Sequence, residues 1–275
     1  MKIKVVDFNL KSSIESGEFF RYELKDDSYI IILFDRVIEI KQVNNYLLIE
    51  SNNEVNLKEI IINFFSLDVD YKSINNSILN MDSSIKDILD NNFGFRIQKM
   101  PKFETLISYM ISTNNSVENI KKCVNRLSNK YGKKIVFNNK EYYLFPTPKE
   151  LKNVTEENLR ELKLGYRAKY VKEIIDKINN NILDLDKIDS MSTIDALDYL
   201  MKHKGIGLKV ASCVLLFAYR RYDSYPIDVW VKKIMKEKYN IEGIKKIKKF
   251  INNRFGKYSG LVIQYLFNYK RNIMI

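Results

Sequence analysis

Cysteine and histidine are too scarce in this sequence to build the sites that depend on them. The chain of 275 residues has 2 cysteines and 1 histidine. Cys123 and Cys213 lie far apart, so neither a disulfide scaffold nor a zinc site of cysteine and histidine ligands can be assembled. A four-cysteine iron–sulfur cluster is excluded by the count alone. We expect Cys123 to be a small buried hydrophobic residue.

Long apolar runs are also absent. No stretch approaches the roughly 18 consecutive apolar residues of a membrane-spanning helix, and residues 1–17 alternate like a strand instead of forming the apolar segment of a signal peptide. We therefore expect a soluble cytoplasmic protein without a membrane partner. A hydrophobic content of 45% is enough, over this length, for one large domain or two ordinary ones.

Positive charge is abundant, and it is unevenly placed. The formal net charge is +12; residues 1–100 have 12 basic and 16 acidic side chains, whereas residues 101–275 have 34 basic and 18 acidic ones. Basic charge concentrated in this way favours binding to the phosphate backbone of nucleic acid or to an anionic membrane. On charge alone, both kinds of partner stay open.

Hydrophobic periodicity predicts an α+β protein. Short segments rich in β-branched and aromatic residues predict an N-terminal antiparallel sheet, over residues 2–8, 19–25, 29–34, 37–43 and 46–51. The spacing then becomes helical, first at 56–65 and 83–92. Beyond residue 100 the chain looks almost wholly helical, near 103–112, 117–131, 147–153, 156–162, 167–180, 193–202, 208–220, 228–238, 243–254 and 258–272. Because charge and periodicity both change near residue 100, we predict a sheet domain with helices over 1–100 and an all-α domain over 101–275.

The stretch HKGIGLKVASCVLLFAYRRYDSYPIDVWVKKI, residues 203–234, includes the turn and the second helix of a helix-hairpin-helix predicted over about 193–220. Gly205 and Gly207 permit a tight turn between one helix and the next. Backbone N–H groups at such a helix start can bind a DNA phosphate, so we predict that Lys204, Gly205 and Gly207 contact the DNA backbone. By itself this motif indicates DNA binding without sequence preference, and many proteins that carry it are not enzymes.

Lys209 stands in the first turn of the second helix, where the helix dipole and apolar neighbours disfavour its charged form. A neutral lysine is a nucleophile able to form a Schiff base, although a solvated surface lysine is the ordinary alternative. Cys213 and Phe217 follow on the same helix face, which could line a pocket for a flat base or belong to the core.

Asp228 precedes a further helix and is expected to cap it. A carboxylate held there stays ionised and can stabilise a cationic sugar transition state.

The segment resembles the helix-hairpin-helix and the following aspartate of the DNA glycosylase superfamily, and within it the 8-oxoguanine DNA glycosylase/AP lyase family. The family patterns G-[IV]-G-x-K-V-A-x-C and P-[VI]-D-V match Lys209 and Asp228, which are nineteen positions apart. The resemblance implies that Lys209 is the nucleophile of a base-excision repair enzyme and that Asp228 is its electrostatic partner. It covers nearly the whole chain, so residues 101–275 would form the glycosylase domain.

The resemblance also implies a base pocket. SGEFFRY, residues 16–22, resembles the family's Ser-Gly-x-x-Phe-Arg segment, so the carbonyl of Gly17 would accept the N7 hydrogen that only the oxidised guanine carries. FGKYSGLVIQYLFNY, residues 255–269, resembles the C-terminal helix that closes the pocket. Phe267 would therefore stack on the flipped base, with Cys213 on the opposite face, and we place Phe217 in the same pocket.

Two further segments imply contacts to the base left behind in the duplex. FETLISYMISTNNS, residues 103–116, resembles the helix and loop whose asparagine fills the gap, here Asn114. LKLGYRAKYV, residues 162–171, resembles the strongest local signature of the family. It implies that Tyr166 wedges beside the orphaned cytosine and that Arg167 hydrogen-bonds to it.

Three positions depart from the family pattern. A second cytosine-reading arginine falls on Asn119, so we expect weaker discrimination against other bases opposite the lesion. The glutamine that reads the base edge falls on Ile263, with Gln264 one position on, so either the helix is shifted or that contact is missing. The residue two after the aspartate, often histidine, is Trp230, which we place at the DNA backbone.

These inferences combine into a bifunctional enzyme that flips 8-oxoguanine out of double-stranded DNA, forms an imine at Lys209 and cuts the strand by β-elimination. We expect no required cofactor, apart from a structural monovalent or divalent cation at the hairpin. We also expect a monomer associated with the nucleoid. Two alternatives stay open: a glycosylase for another damaged base, in which the lysine is idle, and a non-catalytic helix-hairpin-helix DNA-binding protein.

Overall fold

The N-terminal part of the chain forms a five-stranded antiparallel sheet. The computed structural model describes residues 1–227 and 229–273. The strands are β1 (Lys2–Lys4), β2 (Tyr22–Lys25), β3 (Ser28–Leu33), β4 (Arg36–Val43) and β5 (Tyr46–Ser51). Their order is β1-β5-β4-β3-β2, so β2 to β5 form the predicted meander and β1 pairs with β5 at the far edge.

Helices surround this sheet and connect it to the rest of the chain. Helix α1 (Leu10–Ile14) follows β1 and leads into the loop 15–21 that joins it to β2. Helices α2 (Leu57–Phe64), α3 (Tyr71–Met81) and α4 (Lys86–Asn91) follow β5, with a short 3-10 helix at Ser83–Ile85. The sequence analysis predicted α2 and α4 but missed α1 and α3.

The remainder of the described chain is mostly helical. Its helices are α5 (Lys102–Ser112), α6 (Val117–Tyr131), α7 (Glu156–Glu161), α8 (Arg167–Asn179), α9 (Thr193–Met201), α10 (Leu208–Tyr219), α11 (Val229–Tyr239), α12 (Ile244–Phe255) and α13 (Ser259–Ile273). Two short 3-10 helices lie at Asp186–Ser190 and Gly256–Tyr258. The predicted α+β fold class is confirmed by this arrangement.

The prediction of an all-α second part was wrong in one segment. A two-stranded hairpin of β6 (Lys134–Phe137) and β7 (Lys140–Tyr143) follows α6. Its turn residues, Asn138 and Asn139, have φ of +48° and +61°. Two consecutive asparagines with positive φ suit a two-residue hairpin turn, so Asn-Asn was a readable signal. The helix predicted near 147–153 is also absent, since residues 148–153 form turns.

Helix α10 is the central element of the helical part. Its residues 210–219 are all buried, and it packs against α5 and α9. The ring of Phe217 on α10 is stacked on that of Tyr109 on α5, with 5.4 Å between ring centroids and 5° between planes. Burial of almost its whole length leaves only the first turn of α10, with Lys209, at the surface.

One hydrophobic core includes residues from both sides of residue 100. Where the chain passes from the N-terminal part to the helical part, the backbone N–H of Met100 donates to the carbonyl of Phe217 over 2.8 Å. The loop 15–21 is thereby brought close to α5, α10 and α13. The domain boundary near residue 100 stays a prediction.

Candidate active site and nucleic-acid interface

The turn between α9 and α10 is the predicted hairpin of the helix-hairpin-helix. Gly205 has a φ of +87°, and a Cβ atom there would lie 2.5 Å from Cβ of Tyr170. Conformation and packing therefore both require glycine at this position. Gly207 precedes α10 and makes no side-chain cap, and a Cβ atom there would meet nothing within 4 Å. An uncapped helix start in open space suits a phosphate.

A groove of about 560 Å³ runs along this turn. It is lined by Lys209, the predicted nucleophile, and by residues that the sequence assigned to DNA contacts: Lys204, Gly205, Gly207, Tyr166 and Arg167. Two separately predicted sets, for the DNA backbone and for the orphaned base, thus face one surface.

Arg167, the first residue of α8, fixes the loop that follows α5. Its guanidinium donates to the carbonyl oxygens of Thr113, at 2.8 Å from Nε, and of Asn114, at 2.9 Å. The same guanidinium lies over the ring of Tyr166, which is 51% exposed. Asn114 is exposed and has a φ of +49°. This arrangement holds the predicted gap-filling residue and the predicted wedge side by side at the surface.

A smaller cavity, of about 150 Å³, adjoins the groove at Lys209. Among the described residues, Lys209 alone lines both spaces. The other cavity-lining residues that the sequence assigned to the base pocket are Gly17, Cys213, Ile263, Gln264 and Phe267. Lys209 therefore lies at the junction between a basic groove and a small cavity.

Phe217 does not join this set. Its ring is 2% exposed and stacks beneath Tyr109, which does line the cavity. Phe217 lies two turns along α10 from Lys209 and on the same helix face. It is buried more deeply than Lys209, because α10 runs directly into the core. Phe217 reaches the cavity only through Tyr109, and its place in the base pocket stays a prediction.

Gly17 lies in a loop that the C-terminal helix holds in place. Its φ is +88°, and a Cβ atom would lie 2.7 Å from Nη1 of Arg271 on α13. Arg271 donates from the same nitrogen to the carbonyl of Glu15 over 2.5 Å. The close approach of a guanidinium and a positive φ together explain why glycine occupies this cavity-lining position.

The structure adds cavity residues that the sequence reasoning missed. Glu18 lines the cavity, and its carboxylate accepts from the hydroxyl of Tyr109 at 2.6 Å and from Nε2 of Gln264 at 3.3 Å. Burial, with the nearby Glu18 as a lesser cause, raises the pKa of Tyr109 well above its usual value, so this hydroxyl remains a donor. Both Glu18 and Tyr109 lie inside segments quoted for the family resemblance, which was the available signal. Further lining residues are Phe20, Ser112, Asn115, Val117, Ile120, Pro226 and Val231.

The remaining predicted positions lie around this cavity. Trp230, assigned to the DNA backbone, lines the cavity and is 41% exposed. Asn119 donates from Nδ2 to Oδ1 of the cavity residue Asn115 over 2.7 Å. Asp228 lies outside the described residues. Cys123 is buried, as expected, and burial raises the pKa of its thiol.

The described part of the chain contains no cluster of three or more His, Cys, Asp or Glu side chains able to bind a metal ion. Nor does that part include a helix with the length and apolar character needed to cross a bilayer.

A basic groove, a helix-hairpin-helix and a lysine at the mouth of a cavity together define the helix-hairpin-helix class of DNA glycosylases.

Comparison with known proteins gives the family. Residues 1–106 match the model of the 8-oxoguanine DNA glycosylase N-terminal domain, and residues 107–257 match that of the HhH-GPD superfamily of base excision DNA repair proteins. The chain belongs to the 8-oxoguanine DNA glycosylase/lyase family, as the sequence predicted.

Individual relatives cover three quarters or more of this chain. It is 36% identical to the 8-oxoguanine glycosylase/lyase of Clostridium acetobutylicum, solved with double-stranded DNA containing cytosine opposite 8-oxoguanine, with a TM-score of 0.92 over 100% of this chain and 99% of that one. A probable N-glycosylase/DNA lyase of Methanothermobacter thermautotrophicus is 27% identical over 98% of this chain and 96% of its own length. The N-glycosylase/DNA lyase of Saccharomyces cerevisiae is 31% identical over 75% of this chain and 58% of its own length.

Proposed function

We propose that this protein excises 8-oxoguanine from double-stranded DNA and then cuts the strand at the resulting abasic site, with Lys209 as the nucleophile of both steps. The observation that carries this proposal is that Lys209 lines both the groove and the cavity. A duplex bound in the groove and a base extruded into the cavity would place the deoxyribose of that nucleotide beside the amine.

In the first step, the amine nitrogen of Lys209 attacks C1′ of the deoxyribose. The bond from C1′ to the base nitrogen breaks, and the base leaves with the electron pair and acquires a proton. The sugar ring opens and an imine forms between Lys209 and C1′. Loss of a proton from C2′ then expels the 3′ phosphate by β-elimination, which breaks the strand.

Asp228 is proposed to supply the negative charge that stabilises the cationic sugar during this attack. The basis is its position in the sequence, nineteen residues after Lys209 and immediately before α11. Pro226 and Trp230, on either side of it in the chain, both line the cavity.

The base pocket is proposed to sandwich the extruded purine between Cys213 and Phe267. Gly17 would accept a hydrogen bond from N7–H, which distinguishes 8-oxoguanine from guanine. Ile263 can offer only an apolar contact, and Gln264 is held by Glu18. All of these residues except Glu18 were named from the sequence, and their presence around one cavity supports the assignment.

The orphaned base is proposed to meet the loop that Arg167 holds. Asn114 would fill the space vacated by the extruded base and Tyr166 would wedge beside the cytosine, offsetting the few kcal/mol that unstacking costs. Arg167 would turn a guanidinium N–H toward the cytosine. Asn119, already bonded to Asn115, offers no charge to that base.

Duplex binding is proposed to use the hairpin turn, with Lys204, Gly205 and Gly207 at one phosphate and Trp230 at another part of the backbone. A structural cation, monovalent or divalent, is proposed to bind at this hairpin turn, residues 203–207. We propose that no cofactor takes part in the reaction itself.

We also propose that the protein acts as a monomer in the compartment that holds the chromosome, associated with the nucleoid. Its two domains are proposed to meet near residue 100.

The proposal is tested by borohydride trapping on a duplex that contains 8-oxoguanine opposite cytosine. The native protein is expected to form a covalent adduct, and Lys209→Gln is expected to form none while still binding the duplex. Lys245→Gln is a matched control, because Lys245 on α12 is exposed and lines neither the groove nor the cavity.

Two outcomes would overturn the proposal. If the native protein binds DNA but forms no adduct and removes no base, it is a binding protein only. If it releases another damaged base without any adduct, it is a glycosylase in which Lys209 is idle. A panel of duplexes with alkylated and mismatched bases separates these two results.

A further inference from the structure

We infer that Arg271 is a positioning residue for the base pocket, whose guanidinium fixes the direction of the Gly17 carbonyl and so sets the preference for 8-oxoguanine over purines with an acceptor at N7. This inference rests on the proposed function, because it concerns the contact proposed between Gly17 and N7–H. Arg271 lies in the last turn of α13 and was not among the residues predicted from the sequence.

Gly17 has a backbone freedom that must be removed if its carbonyl is to be aimed at a base. Its φ of +88° is open to glycine at little steric cost, but a residue without a Cβ atom also rotates easily about its second backbone angle. Rotation about that angle turns the carbonyl oxygen. An acceptor in a binding site discriminates between ligands only if its supporting groups hold its direction. Contacts on both sides of Gly17 therefore decide how well it reads N7–H.

Arg271 holds the backbone on the N-terminal side of Gly17. Its Nη1 donates to the carbonyl of Glu15 over 2.5 Å. The same guanidinium packs against Gly17, since a Cβ atom added there would lie 2.7 Å from Nη1 and 3.3 Å from Cζ. Because the guanidinium is planar and rigid, one side chain both bonds to the loop and blocks its movement toward α13.

The same helix holds the loop on the C-terminal side of Gly17. Nε2 of Gln264 donates to the carboxylate of Glu18 over 3.3 Å. Gln264, Phe267 and Arg271 follow the spacing i, i+3 and i+7, so they lie on one face of α13. Phe267, between the other two, lines the cavity. One helix thus fixes both the ring proposed to stack on the base and the loop proposed to read its N7.

Helix α13 is itself anchored in the core. Its residues 261–266 are all buried. Nδ2 of Asn92 donates to the carbonyl of Tyr265 over 3.1 Å, and the hydroxyl of Tyr265 donates to Oδ1 of Asn75 over 2.8 Å. Arg271 therefore extends from a fixed helix, and its contact with the loop sets the distance between the Gly17 carbonyl and Phe267.

The chemistry of position 7 makes this distance matter. The carbonyl of Gly17 attracts the N7–H of 8-oxoguanine, whereas the lone pair on N7 of guanine or 8-bromoguanine faces the carbonyl oxygen without a hydrogen between them. A site built around a substrate N–H rejects an analogue that lacks it, because the buried acceptor is then left unpaired. If the loop is released, both the attraction and the rejection weaken.

The experiment compares two substrates in single-turnover excision. One duplex carries 8-oxoguanine opposite cytosine, and the other carries 8-bromoguanine, which has a substituent at C8 but no hydrogen on N7. The native protein is expected to excise 8-oxoguanine about a hundred-fold faster. Arg271→Met, which removes the guanidinium and keeps an unbranched side chain, is expected to lower this ratio about ten-fold, as a carbonyl displaced by a fraction of an ångström would. Intrinsic differences between the two leaving groups cancel when the ratios of two proteins are compared.

Two further variants separate positioning from a general effect on the end of α13. Arg271→Lys keeps one donor for the Glu15 carbonyl but not the planar group against Gly17, and should give an intermediate ratio. Lys270→Met is the matched control, because Lys270 is the adjacent cation on α13, pairs with Glu237 of α11 at 2.7 Å and does not line the cavity. It should leave the ratio as in the native protein. The ratio of two rates from one preparation does not depend on the fraction of protein that is folded, so loss of stability cannot imitate the effect.

The inference fails if the native ratio is close to one, if Arg271→Met slows both substrates equally or not at all, or if Lys270→Met lowers the ratio as much. Failure of the proposed function is seen separately, as the absence of a borohydride-trapped adduct when the native protein is given a duplex with a preformed abasic site. That substrate has no base for Gly17 to read.

Discussion

The carboxyl group of Glu104 and the guanidinium of Arg21 share a buried environment next to the loop that carries Gly17. Glu104, in the first turn of α5, is 9% exposed, and Arg21, at the end of the loop 15–21, is 3% exposed. Arg21 donates to Oδ1 of Asn125 at 2.8 Å and to the carbonyl of Tyr143. Burial raises the pKa of Glu104 to about 7, although the positive charge of Arg21 acts in the opposite direction. The acid is therefore protonated in the folded protein well above the pH at which it ionises in the unfolded chain.

The raised pKa of Glu104 predicts a loss of stability with rising pH. The folded state holds this proton up to about pH 7, whereas an unfolded glutamate releases it near its ordinary pKa of about 4.3. The protonated carboxyl group therefore contributes fully to the stability of the fold below about pH 4.3, and this contribution is lost between about pH 4.3 and about pH 7. Replacing Glu104 by Gln removes the titration while keeping a neutral group of similar shape. We expect the free energy of unfolding of Glu104→Gln, relative to the native protein, to rise by about 2–3 kcal/mol from pH 5 to pH 8.

Urea unfolding at several pH values measures this difference directly. Glu23→Gln serves as a control, since Glu23 is exposed and its replacement should shift stability equally at both pH values. A constant difference between the native protein and Glu104→Gln across this range would show that Glu104 is already ionised at pH 5 in the folded protein.

Gly17 is expected to be intolerant of a side chain for two reasons. Its φ of +88° strains any L-residue, and a Cβ atom would lie 2.7 Å from Nη1 of Arg271. We expect Gly17→Ala to cost about 1–2 kcal/mol of stability through the backbone. We also expect it to slow excision of 8-oxoguanine more than that loss accounts for, because the guanidinium of Arg271, bonded to the carbonyl of Glu15, must shift. Thermal unfolding and single-turnover excision, performed on the same protein, measure the two effects.

Gly243→Ala is the matched control for this change. Gly243 has a φ of +91°, but a Cβ atom there would meet nothing within 4 Å, and the residue does not line the cavity. It should show the backbone cost alone, with no effect on excision at a temperature where both proteins are folded. Equal effects of the two substitutions on excision would mean that the contact between Gly17 and Arg271 has no part in the site.

Local patterns in the sequence predicted most of the fold, because the strands and helices repeat their apolar residues with clear periods. The hairpin of β6 and β7 was missed since its strands are four residues each, too short to show a period, and only Asn138-Asn139 marked the turn. The helix predicted near 147–153 is absent for a similar reason, because the segment TPKELKN has too few apolar residues to establish a period.

The cavity shows a different limit of sequence reasoning. Residues that match a family pattern, such as Lys209 and Cys213, could be placed from the sequence, and they do line the cavity. The depth of Phe217 could not be read from the sequence, because it depends on how α10 packs against α5. Glu18 was missed because its donors come from α5 and α13, which are brought to the loop 15–21 only by the tertiary fold.

Asn119 offers a test of how the base opposite the lesion is read. It lies in the first turn of α6, where its backbone N–H donates to Oγ of Ser116 at 3.3 Å and its amide donates to Asn115 at 2.7 Å. Its neutral side chain supplies no cationic donor for the acceptors N3 and O2 of cytosine. Asn119→Arg would add such a donor at the cost of the bond to Asn115. We expect this variant to increase the preference for cytosine opposite 8-oxoguanine by about ten-fold over the other three bases.

The measurement is single-turnover excision from four duplexes that differ only in the base opposite 8-oxoguanine. Asn119→Gln separates charge from size, because a longer neutral amide also breaks the bond to Asn115 but carries no guanidinium. The native protein and Asn119→Gln should show similar, weak preferences, and only Asn119→Arg should favour cytosine strongly. The helix dipole disfavours a cation at this end of α6. Salt screens the guanidinium, so the added preference for cytosine should also weaken as the salt concentration rises. The native protein could instead excise 8-oxoguanine far faster opposite cytosine than opposite the other three bases. That result would mean that other residues read the orphaned base without help from position 119, and Arg167 would be the first of them to replace.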